Sequence, residues 1–216
     1  MGEHVVKQGE CILSLAARHG FAWEALWDAP ENRDLRKKRK VPNILHPGDA
    51  VFIPEKAKGE ESGATEQRHR FRRLGGMVEL RVRVHDLRGP RKGETYHVEI
   101  DKKVFKGETS KTDGEGLAVV RVPATATRAE LIVGEKEDVY LLLIGHMDPI
   151  DTVAGLHARL ENLGYDAGGV GSAYDERSCR ALSACLFDAG EAEEGRDLSR
   201  PDVSETQDAL KKIYGT

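Results

Sequence analysis

The sequence predicts an α+β chain of several small domains: a βααβ unit, a small antiparallel β-sandwich and a C-terminal three-helix bundle. Three observations predict it. At 216 residues the chain exceeds one average domain. Its hydrophobic period changes along the chain, from a strand–helix–helix–strand pattern to strict alternation and then to helical spacing. A charged stretch containing Gly59, Ser62 and Gly63 has the composition of an exposed linker. The boundaries follow at residues 1–55, 56–75, 76–148 and 149–216.

In the first segment, His4 to Lys7 is short and extended, and Gln8-Gly9-Glu10 is a turn. Cys11 to His19 puts Ile12, Leu15 and Ala16 on one helical face, and Gly20 stops it. Phe21 to Leu26 starts a second helix that turns Trp23, Leu26 or Trp27 inward before Pro30. A polar, basic loop follows, then Val41 to Leu45, a Pro47-Gly48-Asp49 turn and a closing strand from Ala50 to Pro54.

The middle segment alternates with period two: Val78, Leu80, Val82 and Val84 face one way, Glu79, Arg81, Arg83 and His85 the other. Further strands are expected at 96–100, 104–109, 117–122, 129–133 and 139–144. Turns at Arg88-Gly89-Pro90, Thr112-Asp113-Gly114 and Gly134-Glu135 separate them. Six or seven short strands of this kind build a sandwich of immunoglobulin-like or transthyretin-like shape. From Thr152 the period becomes helical. Val153, Leu156, Leu160 and Leu163 form one stripe; helices at 175–189 and 204–214 complete the bundle.

Charge and cysteine content narrow the function. The net charge of −4 carries no global basic footprint for nucleic acid. The basic runs Arg36 to Lys40 and Arg68 to Arg73 read as a solvated loop and a linker. Cys11, Cys179 and Cys185 are odd in number and lack CxxC spacing, so neither a disulfide framework nor a zinc site is expected. The N-terminus shows no signal-peptide pattern, and no stretch approaches the roughly 18 apolar residues of a membrane span. Synthesis in the cytoplasm, with any export by another route, is the expectation.

The first segment resembles the LysM domain. Its pattern stands here as His4-Val5-Val6, Gln8-Gly9-Glu10-Cys11-Ile12, Leu15-Ala16, Gly20, Ala25-Leu26 and Leu45-His46-Pro47-Gly48-Asp49-Ala50-Val51-Phe52-Ile53-Pro54. The resemblance implies a shallow groove for the N-acetylglucosamine glycan of peptidoglycan, formed by Gly9, Glu10, Cys11 and Ile12 with Pro42, Asn43, Ile44 and Leu45. Backbone amides and the Asn43 side chain would read acetamido groups there, and apolar side chains would cover their methyls. Cys11 stands where the family has Thr, and a charged insertion, Arg33 to Lys40, precedes the second loop.

The last segment resembles the helical peptidoglycan-binding domain, through Val153, Leu156, Arg159-Leu160, Leu163-Gly164-Tyr165, Gly168 and Ala181-Leu182. It departs at Gly171-Ser172-Ala173-Tyr174-Asp175 and at Cys185-Leu186. The order of the three parts is similar to a tripartite bacterial family associated with contractile injection machines of the type VI secretion kind. That implies a non-enzymatic peptidoglycan-binding or adaptor protein whose partners are cell-wall glycan and a spike or effector protein, without nucleic acid, membrane insertion or cofactor. The alternative is an accessory targeting subunit of a cell-wall hydrolase or toxin.

No assembled catalytic motif appears. The eight histidines form no His-Glu-x-x-His or Cys/His cluster. His85-Asp86 and His146-x-Asp148 lack further local ligands, and Gly168-Gly169-Val170-Gly171 follows a helix and lacks the lysine of a phosphate loop. A cryptic enzyme would have to use Cys11, with His4 or His46 as base, or one of the His-Asp pairs. Glu191, Glu193 and Glu194 fall in a polar loop, which would not desolvate a glycosidase pair.

Overall fold

The computed structural model describes residues 2–55, 76–86, 88–100, 103–171, 173–192 and 204–214. The expected linker, with Arg68 to Arg73, and the pair Glu193 and Glu194 lie outside the described residues. The chain is mixed α+β, with six α-helices and several small antiparallel sheets among the described residues. It divides into two compact units: Met1–Asn43 with Pro47–His146, and Ile44–His46 with Met147–Thr216.

The first unit begins β1 (Glu3–Val5), α1 (Ile12–His19), α2 (Trp23–Trp27), a 3-10 turn (Pro30–Asn32), α3 (Arg33–Arg39) and β2 (Ala50–Phe52). β1 and β2 pair antiparallel, His4 opposite Val51. α1 starts after an extended Cys11, whose N–H donates to Ser14 Oγ at 2.9 Å, a local bond that satisfies an N-terminal donor. It stops at Gly20, φ +79°, a left-handed position that a side chain would strain. Ile12 and Leu15 are fully buried, and α2 turns Leu26 and Trp27 inward while Trp23 stays 37% exposed.

The stretch expected as a basic loop is the helix α3, which corrects that reading. Its apolar content is a single buried residue, Leu35, so no stripe marks it in the sequence. Four of its five cations, Arg36 to Arg39, lie in its last turn, where they complement the C-terminal end of the helix dipole. Tertiary anchors do the rest. Arg36 Nη1 donates to the carbonyls of Trp27 and Ala29, and Arg39 forks onto Asp49.

The β region of this unit contains β3 (Met77–Arg83), β4 (His85–Asp86), β5 (Gly89–Pro90), β6 (Thr95–Ile100), β7 (Lys103–Lys111), β8 (Leu117–Pro123), β9 (Arg128–Val133) and β10 (Asp138–Leu143). Strand order in the larger sheet is β10-β9-β6-β7; β3 pairs with β8 and β4 with β5. Gly89-Pro90, expected within a turn, forms the short β5 bridge instead. Both the larger sheet and the β3–β8 pair feed one core of Tyr96, Val98, Val120, Val122, Leu131 and Val133 with their neighbours. The period-two residues Val78, Leu80 and Val82 pack against it.

The second unit holds α4 (Val153–Asn162), α5 (Glu176–Asp188) and α6 (Ser204–Tyr214). Thr152 caps α4 by accepting from Gly155 N–H, and Asp175 caps α5 by accepting from Arg177 and Ser178 N–H. Leu156, Leu160, Leu182, Cys185, Leu186 and Leu210 bring all three helices to one buried cluster.

Candidate functional site

The two loops expected to form the groove meet: Ile12 N–H donates to the Pro42 carbonyl at 3.1 Å. Around that bond the eight expected residues differ sharply in access. Asn43 is exposed, while Cys11, Pro42 and Ile44 are half-buried. Gly9, Glu10, Ile12 and Leu45 are buried.

Glu10 is committed to its own unit. One carboxylate oxygen accepts from Lys7 N–H at 3.0 Å and lies 2.7 Å from His4 Nε2; the other accepts from Arg18 at 2.5 Å. Burial pushes its pKa up, but the hydrogen bonds from His4 and Arg18 prevail and hold it at about 2. Gly9, φ +85°, has the His146 ring beside it: an added Cβ would lie 3.0 Å from His146 Nε2. Gln8 Nε2 also donates to the His146 carbonyl at 3.3 Å. One end of the groove is thus packed by the chain itself; the Asn43 end is open.

Asp49, the turn residue before β2, is 6% exposed. Arg39 donates to it through Nε at 2.6 Å and Nη2 at 2.9 Å, and Lys38 adds a bond at 3.2 Å. With Lys37 on Asp34, four cations of the expected basic run have intramolecular partners, which lowers its value as a phosphate contact. Asn32 went unnoticed in the sequence. It is 1% exposed; its Nδ2 donates to the Leu26 and Phe52 carbonyls at 2.8 and 2.9 Å, and it accepts from Phe52 N–H at 2.8 Å. Its amide thus serves β2 as a short strand would.

The other candidates stay apart. His85 is exposed, and Asp86 accepts from Arg88 N–H. Among the described residues no group of three or more His, Cys, Asp or Glu is placed to hold a metal ion. Two amides of the 168–171 loop are used locally: Glu161 accepts from Gly169 N–H at 3.1 Å and Asp166 from Gly168 N–H at 3.1 Å. Glu191 pairs with Lys212. His4, a possible base for Cys11, is held by Glu10. All three cysteines are unbridged, and burial pushes the Cys185 thiol up to about 11.

Two polar clusters escaped the sequence reading. In the second unit, His157 Nε2 lies 2.8 Å from Ser178 Oγ, with Nδ1 3.2 Å from the Gly169 carbonyl. The pair has the spacing of a nucleophile and its base, but both residues are 0% exposed, so no substrate reaches the hydroxyl. In the first unit, an open cleft of about 980 Å³ lies beside Arg91. Arg91 bonds Glu94 at 2.5 Å, Asp138 at 2.8 Å and the Tyr140 hydroxyl at 3.0 Å, so these polar walls are spent on one another. Compared with family models, with curated proteins and with solved structures, the chain gives no match.

Proposed function

We propose that the chain is a non-enzymatic peptidoglycan-binding protein. In this reading residues 3–55 are a LysM-type module, the β region is a small antiparallel sandwich, and the C-terminal helices are a bundle of the peptidoglycan-binding kind. The observation that carries it is the Ile12–Pro42 hydrogen bond, which joins the two loops that the resemblance assigns to the glycan. The exposed Asn43 amide and half-buried Pro42 then offer one polar and one apolar contact, a set suited to an acetamido group. The domain order supports a place beside the spike or effector of a contractile secretion machine, which would carry the chain to the wall.

A second reading keeps the module as a docking adaptor for that spike, or for a wall hydrolase or toxin. It draws on the groove end where His146 packs Gly9 and Glu10 is fully committed. Co-sedimentation of the purified chain with insoluble peptidoglycan sacculi separates the two. Glycan binding predicts pelleting that soluble N-acetylglucosamine oligomers compete away. Asn43→Ala should weaken it by about tenfold, the worth of one or two hydrogen bonds. No pelleting removes the glycan reading and leaves the adaptor.

A further inference from the structure

We propose that β10 is a self-association edge, through which two copies of this chain pair antiparallel about a two-fold axis at Leu141. The inference is independent of the glycan reading. β10 ends the four-stranded sheet, and among the described residues nothing pairs with its outer side. The ladder fixes which backbone groups are left over. Ile144 N–H donates to the Thr127 carbonyl at 3.0 Å, in register with Asp138 opposite Val133 and Leu143 opposite Arg128. Hydrogen-bonded pairs alternate in an antiparallel ladder, so Asp138, Tyr140, Leu142 and Ile144 spend their backbone groups on β9. Val139, Leu141 and Leu143 therefore turn N–H and C=O to the open side.

The same three residues expose their side chains, at 61%, 50% and 56%. Tyr140, Leu142 and Ile144 pack on the core from the other face. The strand is thus apolar on both faces, a pattern suited to burial on both. It also lacks the usual protections of an edge: no Lys, no Pro and no bulge falls within 138–143.

A second copy fits this edge in backbone and in charge. With the axis at Leu141, Leu141 meets the partner's Leu141 and Val139 meets the partner's Leu143, both as hydrogen-bonded pairs. Every open backbone group of the three residues is then used. Charged residues are 32% of the chain, yet 139–144 contains none, so an occupant that buries no opposed charge must itself be charge-free there, as the copy is. Asp138, at the strand's end, is already paired with Arg91, and the Arg128–Glu130 pair on β9 would flank the apolar patch from both sides. Two six-residue strands are about 20 Å long and bury on the order of 400 Å² per protomer, half of a standard interface, which fits a reversible, concentration-dependent dimer.

Sedimentation velocity of the full chain, from low micromolar to near-millimolar, tests this. A monomer–dimer equilibrium is expected. Leu141→Lys, at a solvent-facing position, should hold the chain monomeric with unchanged circular dichroism and melting temperature. Disulfide mapping in a Cys11→Ser, Cys179→Ser background tests the axis, because hydrogen-bonded antiparallel pairs hold Cα atoms about 5.5 Å apart, within disulfide reach. Leu141→Cys should cross-link with itself. Val139→Cys should cross-link with Leu143→Cys but not with itself. A chain that stays monomeric throughout, a Leu141→Lys variant that dimerises like the parent, or self-linking of Val139→Cys would each overturn the proposal.

Discussion

Two buried charges, Asp49 in the first unit and Arg159 in the second, are held by opposite means. Asp49 takes a two-point fork from Arg39, whose side chain is itself only 6% exposed, and a third bond from Lys38. Arg159 is 2% exposed and, among the described residues, has no carboxylate as a hydrogen-bond partner; Nη1 donates to the Asp148 and Gly155 carbonyls at 3.0 and 2.7 Å, and Nε has no partner there. The Tyr214 ring lies 5.7 Å from its Cζ. The difference teaches that burial alone does not measure how much a charge holds together. A buried pair is expensive to halve, whereas a cation hydrogen-bonded to carbonyls beside a ring has less to lose to an apolar side chain.

The strongest way to break the comparison is to halve the Asp49 pair. Arg39→Met leaves a buried carboxylate with Lys38 at 3.2 Å as its remaining charged hydrogen-bond partner of those described above, and should cost about 3–5 kcal/mol. Urea unfolding followed by Trp fluorescence reads this region directly, since the only two tryptophans are Trp23 and Trp27. A loss below 1 kcal/mol would mean that Asp49 is solvated rather than paired. Next in size, Asn32→Ala orphans the Leu26 and Phe52 carbonyls and the Phe52 N–H. About 3 kcal/mol should be lost in the same assay.

Glu10 sharpens the comparison through pH. Its folded pKa of about 2 lies below the ordinary value of 4.5, so the stability it contributes is fully present above 4.5 and is lost as pH falls toward 2. Glu10→Gln should flatten that acid limb of the Trp-detected melting curve. A limb of unchanged steepness would place the acid sensitivity on other carboxylates.

What the sequence disclosed tracks what is local. The alternation of Val78, Leu80 and Val82, the stripe of Leu156 and Leu160, and the stops at Gly20 and Gly190 are set by period and backbone chemistry, and each element formed where its period placed it. α3 was illegible because its stabilising partner, Asp49, lies ten residues beyond Arg39 and its apolar content is one leucine. The candidate groove was legible only in part for the same reason. Its loops are local and are joined by the Ile12–Pro42 bond, but the group packed on Gly9 is His146, from the far end of the β region. The His157–Ser178 pair joins residues 21 apart on different helices, and nothing in either local pattern announces it.

The smallest expected effect is the most telling. Arg159→Met keeps the length of the side chain and discards its charge. What is lost is two bonds to carbonyls and the attraction of the Tyr214 ring; what is gained is relief from desolvating a guanidinium, the leading influence that lowers its pKa, against the opposing pull of Tyr214, Asp148 and Asp151. The terms nearly cancel, so calorimetric stability should change by less than about 1 kcal/mol in either direction. Paired with Arg39→Met, the experiment asks one question twice: does this buried arginine answer a buried carboxylate? A loss at Arg159 as large as that at Arg39 would mean that it does, with Asp148, whose Oδ1 is buried without a hydrogen-bond partner among the described residues, as the group it serves.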